Sequence, residues 1–224
     1  RRLHDCGVLF CAASGRPLDA LRELFAPVAD EIAYMSENAA YVCYGRELLH
    51  TIPMPRELCA ELVAYLGTRT DCVSRACRYY FVPTAAAQAN LDAVGVEFGN
   101  CRIVKDFSEV KGDVTQISAI SAGDMNIPAK EILPLWQDRI GAAVTGEHWL
   151  DFTAAGKDKG LHLLCAHFGI PQENTYAFGD SYNDAPMLRA AAHPYLMNIA
   201  PADLKAEFAT QIDDVAGVLK TLGH

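Results

Sequence analysis

Thr175-Tyr176-Ala177-Phe178-Gly179-Asp180-Ser181-Tyr182-Asn183-Asp184 runs from a short apolar stretch straight into two carboxylates and an amide. The stretch Thr175 to Phe178 has the length and character of a buried strand, and Asp184 to Ala192 reads as the helix that follows the turn. In open α/β sheets ligands collect at the carboxyl ends of the strands. Carboxylates placed there suit a hard cation such as Mg2+, which one or two protein carboxylates hold together with water and phosphate. An Asp-rich turn with Asn183 or Asp184 capping the helix would account for the same letters.

Upstream of this segment, Lys159 to Phe168 reads as a helix with Leu161, Leu164, Cys165 and Phe168 on one face. It is entered through Ala155-Gly156-Lys157-Asp158-Lys159-Gly160. A lysine in a first helical turn works against the macrodipole, so its placement is understandable where it neutralises an anion, either bound phosphate or clustered carboxylates. A solvated surface lysine is the bland alternative. His148 to Phe152 and Tyr195 to Ile199 are strand-like, so strand and helix alternate to the end of the chain.

The same rhythm opens the chain. Gly7-Val8-Leu9-Phe10-Cys11-Ala12-Ala13 is continuously apolar, as a central parallel strand buried on both faces would be. Ser14-Gly15-Arg16-Pro17 breaks it, and Leu18 to Phe25 reads as a helix with Pro17 near its first turn. A hydroxyl and open backbone N–H groups at a helix start make an anion site, although a Ser-Gly-x-Pro turn needs no function. Ile32 to Met35 and Ala40 to Tyr44 follow as strands, with Gly45-Arg46 turning into Glu47 to Ile52.

From about Pro53 to Val144 the pattern is different. Helical segments (Pro55 to Leu66, Ile127 to Gln137) mix with strands of alternating character, and Val114 to Ile120 reads as a strand with one wet face. The order predicts a doubly wound, mostly parallel Rossmann-like α/β core, residues 1–44 and 147–224, interrupted by an inserted α+β domain at 45–146.

The formal net charge of −9 argues against a nucleic-acid partner, since a phosphate backbone needs a basic face. No apolar run approaches the roughly 20 residues that span a bilayer, so no membrane partner is expected. Eight scattered cysteines with no Cys-x-x-Cys pair suit reduced thiols in a cytoplasmic protein rather than disulfides or zinc.

Ala13-Ser14-Gly15-Arg16-Pro17, Asp158-Lys159-Gly160 and Gly179-Asp180-Ser181-Tyr182-Asn183-Asp184, taken in this order, resemble the haloacid dehalogenase superfamily, more narrowly its Cof-like branch of sugar-phosphate and related phosphatases. The resemblance implies that Ser14, with Gly15 and Arg16 beside it, binds phosphate. It implies that Lys159, a better match than Lys157, steadies the phosphoryl group, and that Asp180 binds Mg2+ directly and is catalytic with Lys159. Asp184 would support the metal, and Asn183 would face phosphate or the metal's water shell. Residues 45–146 would be the family's cap. Asn38, just before that insertion, either lines the entrance or makes a turn.

The family's first motif, Asp-x-Asp-Gly-Thr, has no match. The residues before Ser14 read as the tail of a helix entering a second core strand, and Asp5 stands alone. The first core strand and the nucleophilic aspartate are therefore expected to lie outside these 224 residues. What the resemblance implies is an Mg2+-dependent phosphatase hydrolysing a small phosphorylated metabolite, a sugar phosphate or similar, through an aspartyl-phosphate in the full-length protein. The chain as written would be inactive. A non-catalytic phosphate-binding or regulatory remnant and a phosphomutase stay open as alternatives, as does the oligomeric state.

Overall fold

Ile32, Ala33, Tyr34 and Met35 send their side chains alternately to two buried faces, and this organises the first of two units into which the chain divides. That unit comprises residues 1–51 and 155–224; the second comprises residues 52–154. The computed structural model describes residues 1–81 and 102–222 together with positions 85, 88 and 92.

The first unit begins with α1 (Arg2–Asp5), β1 (Cys11–Ala13), α2 (Leu18–Leu24), β2 (Ala33–Ser36), β3 (Tyr41–Tyr44) and β4 (Glu47–Thr51). The second contains α3 (Arg56–Gly67), β5 (Val73–Ala76), β6 (Tyr79–Phe81), β7 (Arg102–Val104), β8 (Ile117–Ile120), α4 (Asn126–Trp136), β9 (Gly141–Gly146) and β10 (Trp149–Thr153). The chain returns to the first with α5 (Lys157–Phe168), β11 (Tyr176–Gly179), α6 (Ala185–Ala190), β12 (His193–Met197), α7 (Ala202–Glu207), β13 (Gln211–Ile212) and α8 (Val215–Thr221).

In the first unit β1 and β2 are parallel, while β3 and β4 extend the sheet antiparallel in the order β1-β2-β3-β4. A second sheet, β11-β12-β13, is wholly parallel. Ala33, Met35 and Val42 share one core with Leu164, Ala177, Leu188, Leu196 and Leu204, so residues of both sheets and three helices close on it. On the other face of the first sheet, Ile32, Tyr34 and Cys43 pack with Leu21, beside Phe10, Leu18 and Phe25. Gly7 to Ala13 was expected to be a central strand. Only Cys11–Ala13 is extended in a ladder, and β1 stands at the edge of its sheet with Cys11 and Ala13 half-buried. Gly7, at φ +76°, still belongs to the turn that leaves α1.

In the second unit the strands order β7-β6-β5-β8-β10-β9, antiparallel except for β6 with β7. Leu62, Val63 and Leu66 of α3 and Ala129, Ile132 and Trp136 of α4 cover one face, against Ala76, Ile117, Ala119, Leu150 and Phe152. The wet face expected along Val114 to Ile120 is not wet. β8 has a strand on each side, and Ser118 and Ile120, which point away from the helices, are as buried as Ile117 and Ala119.

The unit boundaries fall later than the sequence pattern placed them, at 51/52 and 154/155 rather than 44/45 and 146/147. Glu47–Thr51 completes a hairpin with β3 in the first unit, and Trp149–Thr153 is flanked by β8 and β9 in the second. A strand pattern records its own alternation and not the sheet it joins.

α5 packs against β3, and at Gly160 it meets Met35 of β2 and Ala39 of the turn that follows. A Cβ added there would sit 2.6 Å from Ala39 Cβ and nearer still to Met35 Sδ, and both neighbours are buried. Gly160→Ala should therefore destabilise the protein by about 1–3 kcal/mol, the ordinary cost of overpacking, despite alanine's better helix propensity. Thermal melting followed by circular dichroism would show a fall of several degrees; an unchanged or raised midpoint would refute this packing.

Candidate active site

The loop after β1 is tied to the end of β2 and to the segment that follows it. Ser14 N donates to Met35 O (2.9 Å), and Ser14 Oγ accepts from Arg16 N (3.2 Å), closing a small turn. Gly15 and Arg16 are exposed. Beyond β2, Glu37, Asn38 and Ala39 have φ of 49°, 57° and 70°, three successive left-handed residues. Each such non-glycine residue costs roughly 1–2 kcal/mol, and the conformation persists where neighbours over-determine it. Here Asn38 N donates to Ser14 O and Glu37 N to Arg16 O, both at 3.0 Å, while Ala39 and Ala40 are buried. Asn38 Oδ1 then accepts from Asn183 Nδ2 at 3.0 Å. Asn38 joins the Ser14–Arg16 loop to the loop after β11; its turn conformation is what gives it that reach.

At the carboxyl end of β11, Asp184 holds its loop from within. Its Oδ2 accepts from Asp180 N (3.0 Å) and Ser181 N (3.2 Å), and its Oδ1 receives Lys157 Nζ at 2.5 Å. The two charged side chains are only 8% and 5% exposed, so this is a buried ion pair. Such pairs hold when further hydrogen bonds satisfy the carboxylate, as the two backbone N–H groups do here. Gly179 leaves room for it: a Cβ there would lie 2.9 Å from Asp184 Cγ. Asp180 gives only its backbone N–H to this knot, and the residue is exposed. Tyr182 donates to both Asp203 carboxylate oxygens at 3.0 Å, which anchors the loop to α7. That bond also holds the phenol above its usual pKa range.

The structure thus gathers Ser14, Gly15, Arg16, Asn183, Asp180 and Asp184 at the strand ends of one unit. Lys159 is not among the residues tied to this cluster through Asp184; it is exposed, and Lys157 occupies that position. Lys157 at the first position of the helix is unfavourable for the macrodipole, and the Asp184 carboxylate offsets it. The charge on Lys157 was legible in the sequence, but its direction was not.

The oxygens available for a cation are those of a hard-donor site. Asp180 offers an exposed carboxylate, and Asn183 keeps an amide oxygen while its Nδ2 is engaged by Asn38. Among the described residues no group of three or more His, Cys, Asp or Glu side chains is arranged to hold a metal by itself. One exposed carboxylate beside an amide oxygen is the kind of donor set that Mg2+ takes, completed by water and phosphate.

Breaking a buried pair leaves an uncompensated charge. Lys157→Met should lower stability by about 3–5 kcal/mol. Lys159→Met, at an exposed position, should change it by less than about 0.5 kcal/mol. Urea denaturation of the two variants measures both; equal effects would show that the pair does not carry this part of the fold.

The sequence profile of the haloacid dehalogenase-like hydrolases matches residues 1–222. The 5-amino-6-(5-phospho-D-ribitylamino)uracil phosphatase YbjI of Escherichia coli (strain K12) is 26% identical over 200 residues, which cover 87% of this chain and 73% of that protein. Among solved structures, BT1666 from Bacteroides thetaiotaomicron aligns over 100% of this chain and 84% of its own, at 21% identity and a TM-score of 0.75. The HAD subclass IIB sugar phosphatase BT4131 aligns over 98% of this chain and 87% of its own, at 25% identity and a TM-score of 0.70. With its profile matched almost end to end, this chain belongs to the haloacid dehalogenase-like hydrolases.

Proposed function

We propose that the protein is an Mg2+-dependent phosphatase of small phosphorylated metabolites, sugar phosphates or similar, acting in the cytoplasm. The observation that carries this is the meeting of the Ser14–Arg16 and Asp180–Asp184 loops through Asn38, with Lys157 neutralising Asp184 behind them. The names of similar proteins support the substrate class: YbjI is a phosphatase of a phosphoribityl compound and BT4131 a sugar phosphatase. A reducing compartment suits the thiols. No disulfide joins the described cysteines, and burial pushes Cys11 up to about 12, Cys59 to about 11 and Cys72 to about 12. No helix among the described residues is long and apolar enough to cross a membrane.

In this reading the Ser14 hydroxyl, the backbone N–H of Gly15, the Arg16 guanidinium and the Asn183 amide receive the phosphoryl oxygens. Asp180 is the metal's carboxylate, and Asp184, fixed by Lys157 and two backbone N–H groups, holds the loop that presents it. When bound, the ion neutralises phosphoryl charge and polarises the phosphorus centre. The phosphoryl group passes to an aspartate with release of the alcohol, and water then hydrolyses the aspartyl-phosphate to inorganic phosphate. Asp5 is not suited to that attack, because it sits exposed on α1. β1 and β11 both stand at sheet edges with Ser14 and Asp180 following them. Those open edges support a further strand, outside these 224 residues, that carries the attacking carboxylate between the two loops.

The test uses the full-length protein and p-nitrophenyl phosphate. Hydrolysis should require Mg2+ and stop with EDTA, and Asp180→Asn should lower kcat/KM by about 100-fold or more, as for other lost groups that stabilise transition-state charge. Full activity with EDTA or in Asp180→Asn would overturn the metal assignment. The 224-residue form should turn over no substrate under the same conditions, and turnover by it would overturn the proposed location of the nucleophile.

A further inference from the structure

In the first unit the loops after β1 and β11 belong to different sheets, and the ladder of neither sheet includes a strand of the other. The Asn38 amide touches both loops. Its Oδ1 accepts from Asn183 Nδ2 at 3.0 Å, across 145 residues of sequence. The same amide lies beside Gly15: a Cβ built there would stand 3.4 Å from Asn38 Nδ2 and 3.5 Å from Oδ1, ordinary van der Waals contact. The backbone belongs to the same knot, since Asn38 N donates to Ser14 O and Glu37 N to Arg16 O.

A side chain as short as asparagine makes this bridge from a backbone at φ 57°, between Glu37 at 49° and Ala39 at 70°. Residues other than glycine enter that region at a cost, although asparagine tolerates it better than most. Glycine at the same place would make the turn with less strain, but it would carry no amide to Asn183. The turn therefore accounts for the residue type and not for the engagement of its side chain. Asn183 is exposed, and an exposed side chain ordinarily samples several rotamers. The bond to half-buried Asn38 restrains it. Asp184 meanwhile fixes only the backbone of that loop, at Asp180 and Ser181. Ordering each loop separately costs conformational entropy, so ligands that need both loops bind more tightly where one clamp has already ordered them. Two such ligands are linked, and the linkage is equal in both directions.

Resting on the phosphatase reading above, we propose that Asn38 is a positioning residue that makes phosphate and Mg2+ binding cooperative. It acts through Asn183 and Gly15, holding the Ser14–Arg16 and Asp180–Asp184 loops in the one register that both ligands require.

Calorimetric titration of the full-length protein with inorganic phosphate, with and without saturating Mg2+, tests it. Mg2+ should tighten phosphate binding in the unaltered protein. Asn38→Gly keeps the backbone conformation, which glycine adopts freely, and removes the amide. It should weaken phosphate by about fivefold in Mg2+ and by less than about twofold without it, as for one hydrogen bond that counts only when both loops are engaged. Asn38→Ser, too short to reach Asn183, should behave alike. Ala39→Gly relaxes the neighbouring backbone but leaves the amide in place, and should retain the full tightening. In an Asn183→Ala background Asn38→Gly should add no further loss, because two residues acting through one contact are not additive. Circular dichroism identifies the folded variants. Equal losses with and without Mg2+ in Asn38→Gly, the same loss in Ala39→Gly, or additive losses in the double variant overturn the proposal. Phosphate binding by the unaltered protein that Mg2+ leaves unchanged overturns the phosphatase reading and this inference with it. An Mg2+ effect that survives intact in Asn38→Gly and Asn38→Ser overturns the inference alone.

Discussion

The ion pair between Lys157 and Asp184 is the constraint around which the strand-end site is built. It joins the first turn of α5 to the loop after β11 in a place with almost no solvent, so neither partner can move away without leaving a bare charge behind. Asp184 turns that fixed point into loop geometry by collecting the backbone N–H groups of Asp180 and Ser181. Two glycines follow from the same packing. Gly179 makes room for the Asp184 side chain, and Gly160, one turn along from Lys157, lets α5 approach Met35 and Ala39.

A second constraint works through backbone strain. Glu37, Asn38 and Ala39 hold left-handed conformations that their residue types disfavour, and backbone hydrogen bonds to Ser14 and Arg16 maintain them. What the strain achieves is positional. It carries Asn38 Oδ1 to Asn183, so that loops belonging to two different sheets are connected by side-chain amides and present exposed Gly15, Arg16, Asp180 and Asn183 together. Strain gathered at strand ends, over a core as closely packed as Ala33, Met35, Leu188 and Leu196, is the arrangement expected where ligand positioning is favoured over local stability.

The two faces of the second unit's sheet differ in character. Its helix-covered face is aliphatic and aromatic, and its other face keeps Arg75, Ser118 and Asp151 in one register row. That row could not be read from the sequence, because Arg75 and Asp151 become neighbours only through β8, and strand pairing across such a separation leaves no local mark.

Hydrophobic period and strand-end chemistry are local properties, and these the sequence determined by itself. The alternation of strand and helix at both ends, the α+β character of the middle and the acidic Gly179–Asp184 turn were all visible as residue patterns. Three features waited for the tertiary structure. The strands at 47–51 and 149–153 joined the opposite unit from the one their position suggested, because sheet membership is decided by hydrogen-bonding partners and not by the strand's own alternation. Lys157 rather than Lys159 met the acid, because helix phase depends on which face of α5 is buried against β3 and α6. Asn38 became part of the site through a hydrogen bond spanning 145 residues, a contact that only the folded chain can make.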